Sequence, residues 1–297
     1  EGPRTEQAVL YNNLGLVYQE IGDFGKALEY FDTAAQIADR LQDPLLYALA
    51  IENGGNVKIM SGDFSGVDAL LEALDIYRDL ENRDHEVKTL FNLYCAFAVL
   101  GDARATGMVD EILDILANHN IDQETEAGIL LGILPQDIGD QAGLIIFRSR
   151  LQQLQRFYED REDPVGLGRS LLALAGVEQA LGNFDKMVDY ATAAEAYGDY
   201  IPLPVSIPFH RDLGFYLIFS EEPEDGIDHL LAAFDLAGTV SVEHQRSLAF
   251  AINLYLGTNA GQVDAAKYCT KAQSVLGSTD DPEIQRLFQE IADLLCN

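Results

Sequence analysis

A glycine-centred punctuation returns through this chain about every forty residues, and it limits the folds available more than any other feature. Ile21-Gly22-Asp23-Phe24 recurs as Ser61-Gly62-Asp63-Phe64, then as Leu100-Gly101-Asp102, Ile138-Gly139-Asp140 and Leu181-Gly182-Asn183-Phe184. Weaker equivalents fall at Glu222-Pro223 and Ala260-Gly261, so successive marks lie 38 to 43 residues apart. A fixed period of this length is the mark of a repeat architecture, in which each unit buries its apolar face only against its neighbours.

Each mark separates two helical stretches. Tyr11, Leu14, Tyr18 and Ile21 recur at spacings of three and four, one face of a helix. Gly22 permits the left-handed conformation that ends a helix, and Asp23 can cap the next. Ala27, Leu28, Phe31, Ala34 and Ala35 then mark a second stripe. Asp43-Pro44 closes the unit, because the residue before proline disfavours helix, and Asp163-Pro164 and Asp281-Pro282 repeat the device. No β-branched strand runs lie between the helices, which sets aside a parallel α/β fold.

Leu14-Gly15, Tyr18, Gly22, Phe24, Ala27, Phe31 and Ala34 resemble the tetratricopeptide signature. The second unit keeps Gly55, Gly62 and Phe64, and the fifth keeps Leu174, Ala175, Gly182, Phe184 and Ala194. The other units hold the period with little of the motif. The resemblance implies an all-α, right-handed superhelical solenoid of antiparallel helix pairs, with about seven repeats and a C-terminal capping helix. Read as a single domain over 1–297, the repeats run approximately 6–43, 44–84, 85–122, 123–163, 164–202, 203–242 and 243–280, with the cap at 281–297. Forty residues exceed the usual 34. The excess predicts longer second helices, similar to the branch that includes spindle-orientation adaptors, kinesin light chains, bacterial quorum-peptide receptors and the sensor domain of the maltose-regulon activator.

Two places break the pattern. Leu134-Pro135-Gln136 predicts a kinked or shortened first helix in the fourth unit. Ile201-Pro202-Leu203-Pro204 with Pro208 predicts a rigid, extended loop between repeats, and 200–208 is the one candidate for a soft domain boundary.

The net charge of −30 repels nucleic acid and acidic membrane surfaces, and no basic stripe reverses it locally. The acids are scattered along the whole chain, a composition that resembles proteins of salt-accumulating halophiles. No apolar run approaches the roughly 18 residues of a membrane helix. Cys95, Cys269 and Cys296 form no CxxC pair, which argues against a disulfide framework or a cysteine-ligated zinc site and for a reducing cytoplasm. The chain begins at Glu1 without Met, so a preceding domain or targeting segment is one expectation.

No GxSxG, HExxH or Walker loop is present, and Gly166-Leu167-Gly168 opens a helix with no strand before it. The five histidines are scattered without i,i+4 pairing or a nearby cysteine and read as surface or turn residues. The acidic run Glu221-Glu222-Pro223-Glu224-Asp225 lacks the alternating ligands and central Gly of a calcium loop. These absences lead to the expectation of a non-enzymatic chain without cofactor or metal.

Asn13, Asn53 and Asn92 occupy one phase of three successive first helices, each two residues before Gly15, Gly55 or Tyr94. Asparagine competes with helical hydrogen bonds, so three at one phase call for a reason. In the tetratricopeptide family this position faces the concave groove, and the series resembles the asparagine ladders of O-linked N-acetylglucosamine transferase and of peptide-binding adaptors. Asn offers both a donor and an acceptor, which matches a peptide backbone. Asn12 and Asn56 widen the polar track. The alternative role is a bond to the neighbouring repeat. The resemblance therefore implies a protein-interaction scaffold whose groove binds an extended or helical peptide segment of another protein. A regulatory sensor domain of a larger signalling or transcription-regulating protein is the second reading.

Overall fold

A computed structural model describes residues 4–220 and 223–296. Among these residues the chain is an all-α repeat solenoid with fifteen α-helices and no strand. It separates into two compact units, Glu1–Phe147 and Arg148–Asn297. The division falls within a helix, whereas residues 200–208 lie inside the second unit.

The first unit holds α1 (Thr5–Ile21), α2 (Phe24–Leu41), α3 (Pro44–Met60), α4 (Gly66–Asp79), α5 (Arg83–Leu100), α6 (Arg104–Asn118) and α7 (Gln123–Leu130). α8 (Gln141–Asp160) carries the division. The second unit holds α9 (Pro164–Ala180), α10 (Phe184–Glu195), α11 (Leu203–Leu217), α12 (Pro223–Ala237), α13 (Val242–Asn259), α14 (Ala265–Leu276) and α15 (Pro282–Leu295). In the first unit α1 touches α3, α3 touches α5, and α5 touches α7, so the odd-numbered first helices form one layer. In the second unit α9 contacts α11 in the same way, and α13 contacts the final helix α15.

The punctuation works as read. Gly22, Gly62, Gly101 and Gly182 all have positive φ, between 64° and 85°, which an L side chain adopts only at a cost. Asp23 then accepts the backbone N–H of Lys26 at 3.2 Å. The three Asp-Pro pairs are helix starts: Asp43 accepts from Leu46 at 3.1 Å, and Asp163 and Asp281 each accept two N–H groups of the first turn. Each cap satisfies donors that the helix itself leaves unpaired.

Packing explains the small residues. A Cβ on Gly15 would lie 2.5 Å from the Phe31 ring, so glycine there lets α1 seat on α2. Phe31, Ala27 and Val57 form a buried cluster against which Tyr18 and Phe24 pack, joining the first repeat to the second. At the far end, α15 buries Ile284, Leu287, Phe288, Ile291 and Leu295 in the core built by α12 to α14, as its apolar stripe predicts for a cap.

Three expectations need correction. The second helices are not consistently the longer ones: α10 and α14 have 12 residues, against 17 in α9 and 18 in α13, whereas α2 has 18 against 17 in α1 and α8 has 20 against 8 in α7. The prolines near 200 do not make a long extended loop. Only Ile201 and Pro202 are extended; Pro204 falls in the first turn of α11, where its missing N–H costs nothing, and Pro208 lies within that helix. The fourth first helix is shortened as predicted, to eight residues. A 3-10 turn, Pro135–Asp137, replaces its end, held where Tyr94 donates to Asp137 at 2.7 Å and accepts from the Leu134 N–H at 3.1 Å. The cysteines are not three free thiols, because Cys269 and Cys296 form a disulfide between α14 and the residue after α15. Cys95 is exposed and free. The cysteine argument for a reducing compartment therefore lapses. Glu221 and Glu222 of the acidic run lie outside the described residues; Pro223 to Asp225 begin α12.

The distributed charge has a direct consequence for stability. Self-repulsion of a −30 chain is screened as the Debye length falls from about 10 Å at 0.1 M salt to about 3 Å at 1 M. The melting temperature is expected to rise from 0.1 to 2 M potassium chloride, by about 2–4 °C for each kcal/mol of repulsion relieved. Calorimetry across that range checks it, and a flat profile would show that repulsion does not limit the fold.

Candidate functional site

The three ladder asparagines fall in register on α1, α3 and α5, and so do the residues just before them: Asn12, Glu52 and Phe91. The register creates a repeated bond. Asn53 Nδ2 donates to Asn12 Oδ1 at 3.0 Å, and Asn92 Nδ2 donates to Glu52 Oε1 at 3.3 Å. The second and third rungs thus reach back to the preceding repeat. Asn13, on the first helix of the series, is exposed, whereas Asn12, Asn53, Asn56 and Asn92 are half-buried.

Glu52 is the residue that sequence reasoning missed. It is 6% exposed, yet it is the hub of the site. The Tyr77 hydroxyl donates to Oε2 at 2.8 Å, the Thr89 hydroxyl lies 3.0 Å from Oε1, and His85 Nδ1 lies 4.0 Å from Oε2. Burial raises its carboxyl above the ordinary 4.5, opposed by hydrogen bonds from Tyr77 and Thr89, the charge of Lys88 and the Asn92 bond. The same setting pushes the Tyr77 phenol far up, through burial and then the Glu52 charge. His85, stacked on Tyr77 at 5.0 Å, is lowered by burial and by Lys88. A signal was available: Glu52 continues the buried phase of Ala48 and Gly55 at spacings of four and three. An acid on a buried helix face requires partners.

Asn53, Asn56 and Asn92 line an open groove of about 430 Å³ within the first unit. Leu49, Glu52, His85, Lys88 and Phe91 line it as well, together with Glu124, Thr125, Gly128 and Ile129 of α7. Among the described residues Lys88 makes no ion pair. Toward the helix-pair turns, the same face of the first helices carries exposed Met60, Cys95 and Val99, with Val17 and Ile21 exposed on α1. The surface is a polar track beside an apolar strip.

The ladder stays in the first unit. Ala173 and Ala251 stand at its phase in α9 and α13, and Ala251 is buried. In the second unit the structure instead brings two histidines together, against the expectation of isolated surface residues. His210 and His229 stack at 5.1 Å with their Nδ1 atoms 2.9 Å apart, and His229 Nε2 lies 3.4 Å from Glu195. Their sequence separation of 19 hid the pairing. Among the described residues no group of three or more His, Cys, Asp or Glu side chains is arranged to hold a metal ion. No helix among them is long and apolar enough to cross a membrane.

The tetratricopeptide repeat model matches residues 8–40, the unit that carries the full signature and the first rung of the ladder. The chain carries a tetratricopeptide repeat at residues 8–40 within an all-α repeat solenoid. Solved structures agree in fold over nearly all its length. The apo form of RapI is 14% identical, with 97% of this chain and 96% of that one aligned at a TM-score of 0.65. A signal transduction ATPase with a tetratricopeptide repeat sensor, from Pyrococcus horikoshii, is 12% identical over 97% of this chain and 44% of that one, at a TM-score of 0.57. Aspartyl phosphate phosphatase F from Bacillus subtilis is 11% identical over 89% of this chain and 75% of that one, at a TM-score of 0.50. No curated protein sequence matches the chain.

Proposed function

We propose that this chain is a non-catalytic interaction module that binds a segment of another protein along the first-helix groove of its first unit. The observation that carries the reading is the asparagine ladder bordering an open groove: polar amides in register, next to an apolar strip, on helices whose opposite faces build the core. An extended peptide has backbone donors and acceptors for the amides and side chains for Met60 and Val99. The surrounding acidity favours a partner that is neutral or basic. The two inter-repeat bonds do not exclude this use, because an asparagine amide has two N–H donors and an acceptor with two lone pairs, and each bond occupies one group.

A second reading, the sensor part of a larger regulator, draws support from the Pyrococcus horikoshii protein, of which this chain aligns with less than half, 44%. The two readings use the same groove and differ in what receives the signal.

Replacing Asn13, Asn53 and Asn92 together by Ala is expected to weaken partner binding by about 2–4 kcal/mol, at roughly 0.5–1.5 kcal/mol for each neutral hydrogen bond. That equals about thirty- to a thousand-fold in Kd. Some loss of stability should accompany it, because the Asn53 and Asn92 bonds to the preceding repeat go too. Isothermal titration with a partner segment and a parallel melt separate the two effects. Unchanged affinity with a lowered melting temperature would make the ladder a structural tie and refute the groove reading.

A further inference from the structure

The two inter-repeat bonds of the ladder differ in one chemical respect. Asn53 is held by Asn12, another amide, and an amide pair can turn over together and bond equally well the other way. Asn92 is held by a carboxyl group. An ionised carboxylate only accepts, so Asn92 must point its Nδ2 inward. The neutral acid has one proton, and the geometry gives it another destination. Thr89 Oγ1 lies 3.0 Å from Glu52 Oε1 and 2.8 Å from the His85 carbonyl oxygen. Thr89 can accept the Glu52 proton and pass its own to that carbonyl, which only accepts. In either protonation state Asn92 has no inward donor to turn toward.

Resting on the groove reading above, we infer that Glu52, nearly buried in the lining of the groove, is the positioning residue that makes Asn92 a fixed acceptor in it, while Asn53 stays adaptable. With Nδ2 drawn to Glu52, Oδ1 of Asn92 is turned to the groove that this residue lines. The ligand must then supply an N–H at that rung. A backbone amide does so; a proline or an N-methylated residue at that position does not. At the Asn53 rung either a donor or an acceptor is taken. The groups facing Glu52 are Tyr77 from α4 and His85, Lys88, Thr89 and Asn92 from α5.

The isosteric variant Glu52→Gln makes the inference testable. The buried Tyr77 hydroxyl needs an acceptor, so the Gln oxygen takes the place of Oε2 and its NH2 faces Thr89 and Asn92. Asn92 must then turn its oxygen inward and present N–H to the groove. The probe is a peptide selected on the wild-type protein from a random dodecamer library, with each of its backbone amides N-methylated in turn. In the wild type one N-methyl position should cost about tenfold in affinity through Asn92. In Glu52→Gln the parent peptide should bind about tenfold more weakly, and that position should lose its sensitivity, as it should in Asn92→Ala. Equal affinity and an unchanged N-methyl profile in Glu52→Gln would overturn the role of Glu52.

A second readout needs no ligand. The side-chain amide protons of Asn92, followed by nitrogen-15 NMR, should differ in shift and solvent exchange between wild type and Glu52→Gln, because their partner changes; identical resonances would also overturn it. Should Asn13→Ala, Asn53→Ala and Asn92→Ala all leave peptide affinity unchanged, the groove reading fails, and the Asn92 resonances still decide whether Glu52 orients the amide.

Discussion

Replacing Gly66 with leucine is expected to unfold the second helix pair and lower the stability of the first unit by at least about 3 kcal/mol. α3 and α4 cross at Gly55 and Gly66 with no side chain between them. A Cβ on Gly66 would lie 2.2 Å from the Gly55 carbonyl oxygen, and one on Gly55 would lie 2.8 Å from that of Gly66. The obstacle in each direction is backbone, which cannot rotate aside. Leu70, Ala73, Leu74 and Tyr77 are buried from the same helix, so separating the pair exposes a core and strands Glu52 without its Tyr77 partner. Gly107 is the internal control: nothing lies within 4 Å of a Cβ there, and Gly107→Ala should stabilise α6 by up to about 1 kcal/mol. Urea titration of both variants checks the pair of expectations. A Gly66→Leu protein that unfolds with the wild type would mean that α3 and α4 are not so closely apposed. The second unit repeats the device at Gly214 and Gly226, where each Cβ would meet the other's carbonyl oxygen at 2.7 Å.

Reduction of the Cys269–Cys296 disulfide is expected to cost the second unit about 3.5 kcal/mol, the chain-entropy value for closing a loop of 27 residues. With about 2–4 °C for each kcal/mol, the melt should fall by about 10 °C. The clean comparison is a Cys95→Ser protein with and without a phosphine reductant, so that only the pair reacts. Helicity at 25 °C should hardly change, because α15 stays docked through Ile284, Leu287, Phe288, Ile291 and Leu295. Coincident melts would show that the bond is absent in solution or adds nothing. A Cys296→Ser variant supplies the same test without a reductant.

What the residues announced and what they concealed divides along local and non-local lines. The left-handed glycines, the Asp-Pro starts, the break at Pro135 and the capping stripe of α15 are all decided within a few residues, and each could be read directly. The apolar period that sets the fold is likewise local. The pairing of Cys269 with Cys296, of His210 with His229, and of Glu52 with Tyr77, Thr89 and Asn92 depends on which helices become neighbours. Spacing along the chain carries that information only weakly. The ladder lies between these cases. Its phase was plain in the sequence, but its direction of bonding depends on the residue one place before each rung, and that residue changes from Asn12 to Glu52 to Phe91. The expectation of longer second helices holds in the first and fourth repeats and fails elsewhere, because a longer period says nothing about which member of a pair is extended.

The shortness of α7 sets a limit of another kind. With eight residues before the 3-10 turn, the fourth first helix offers Glu124, Thr125 and Gly128 to the groove but no fourth asparagine. The rungs at 13, 53 and 92 are therefore a finite scale. Neighbouring helices pack about 8–10 Å apart, so the outer rungs stand roughly 20 Å from each other. At about 3.3 Å per residue, some six residues of extended chain cover that distance. Such a track would act as a ruler. Segments shorter than this would leave a rung unused, and longer ones would gain nothing further from the amides, so affinity should climb with peptide length and then level off.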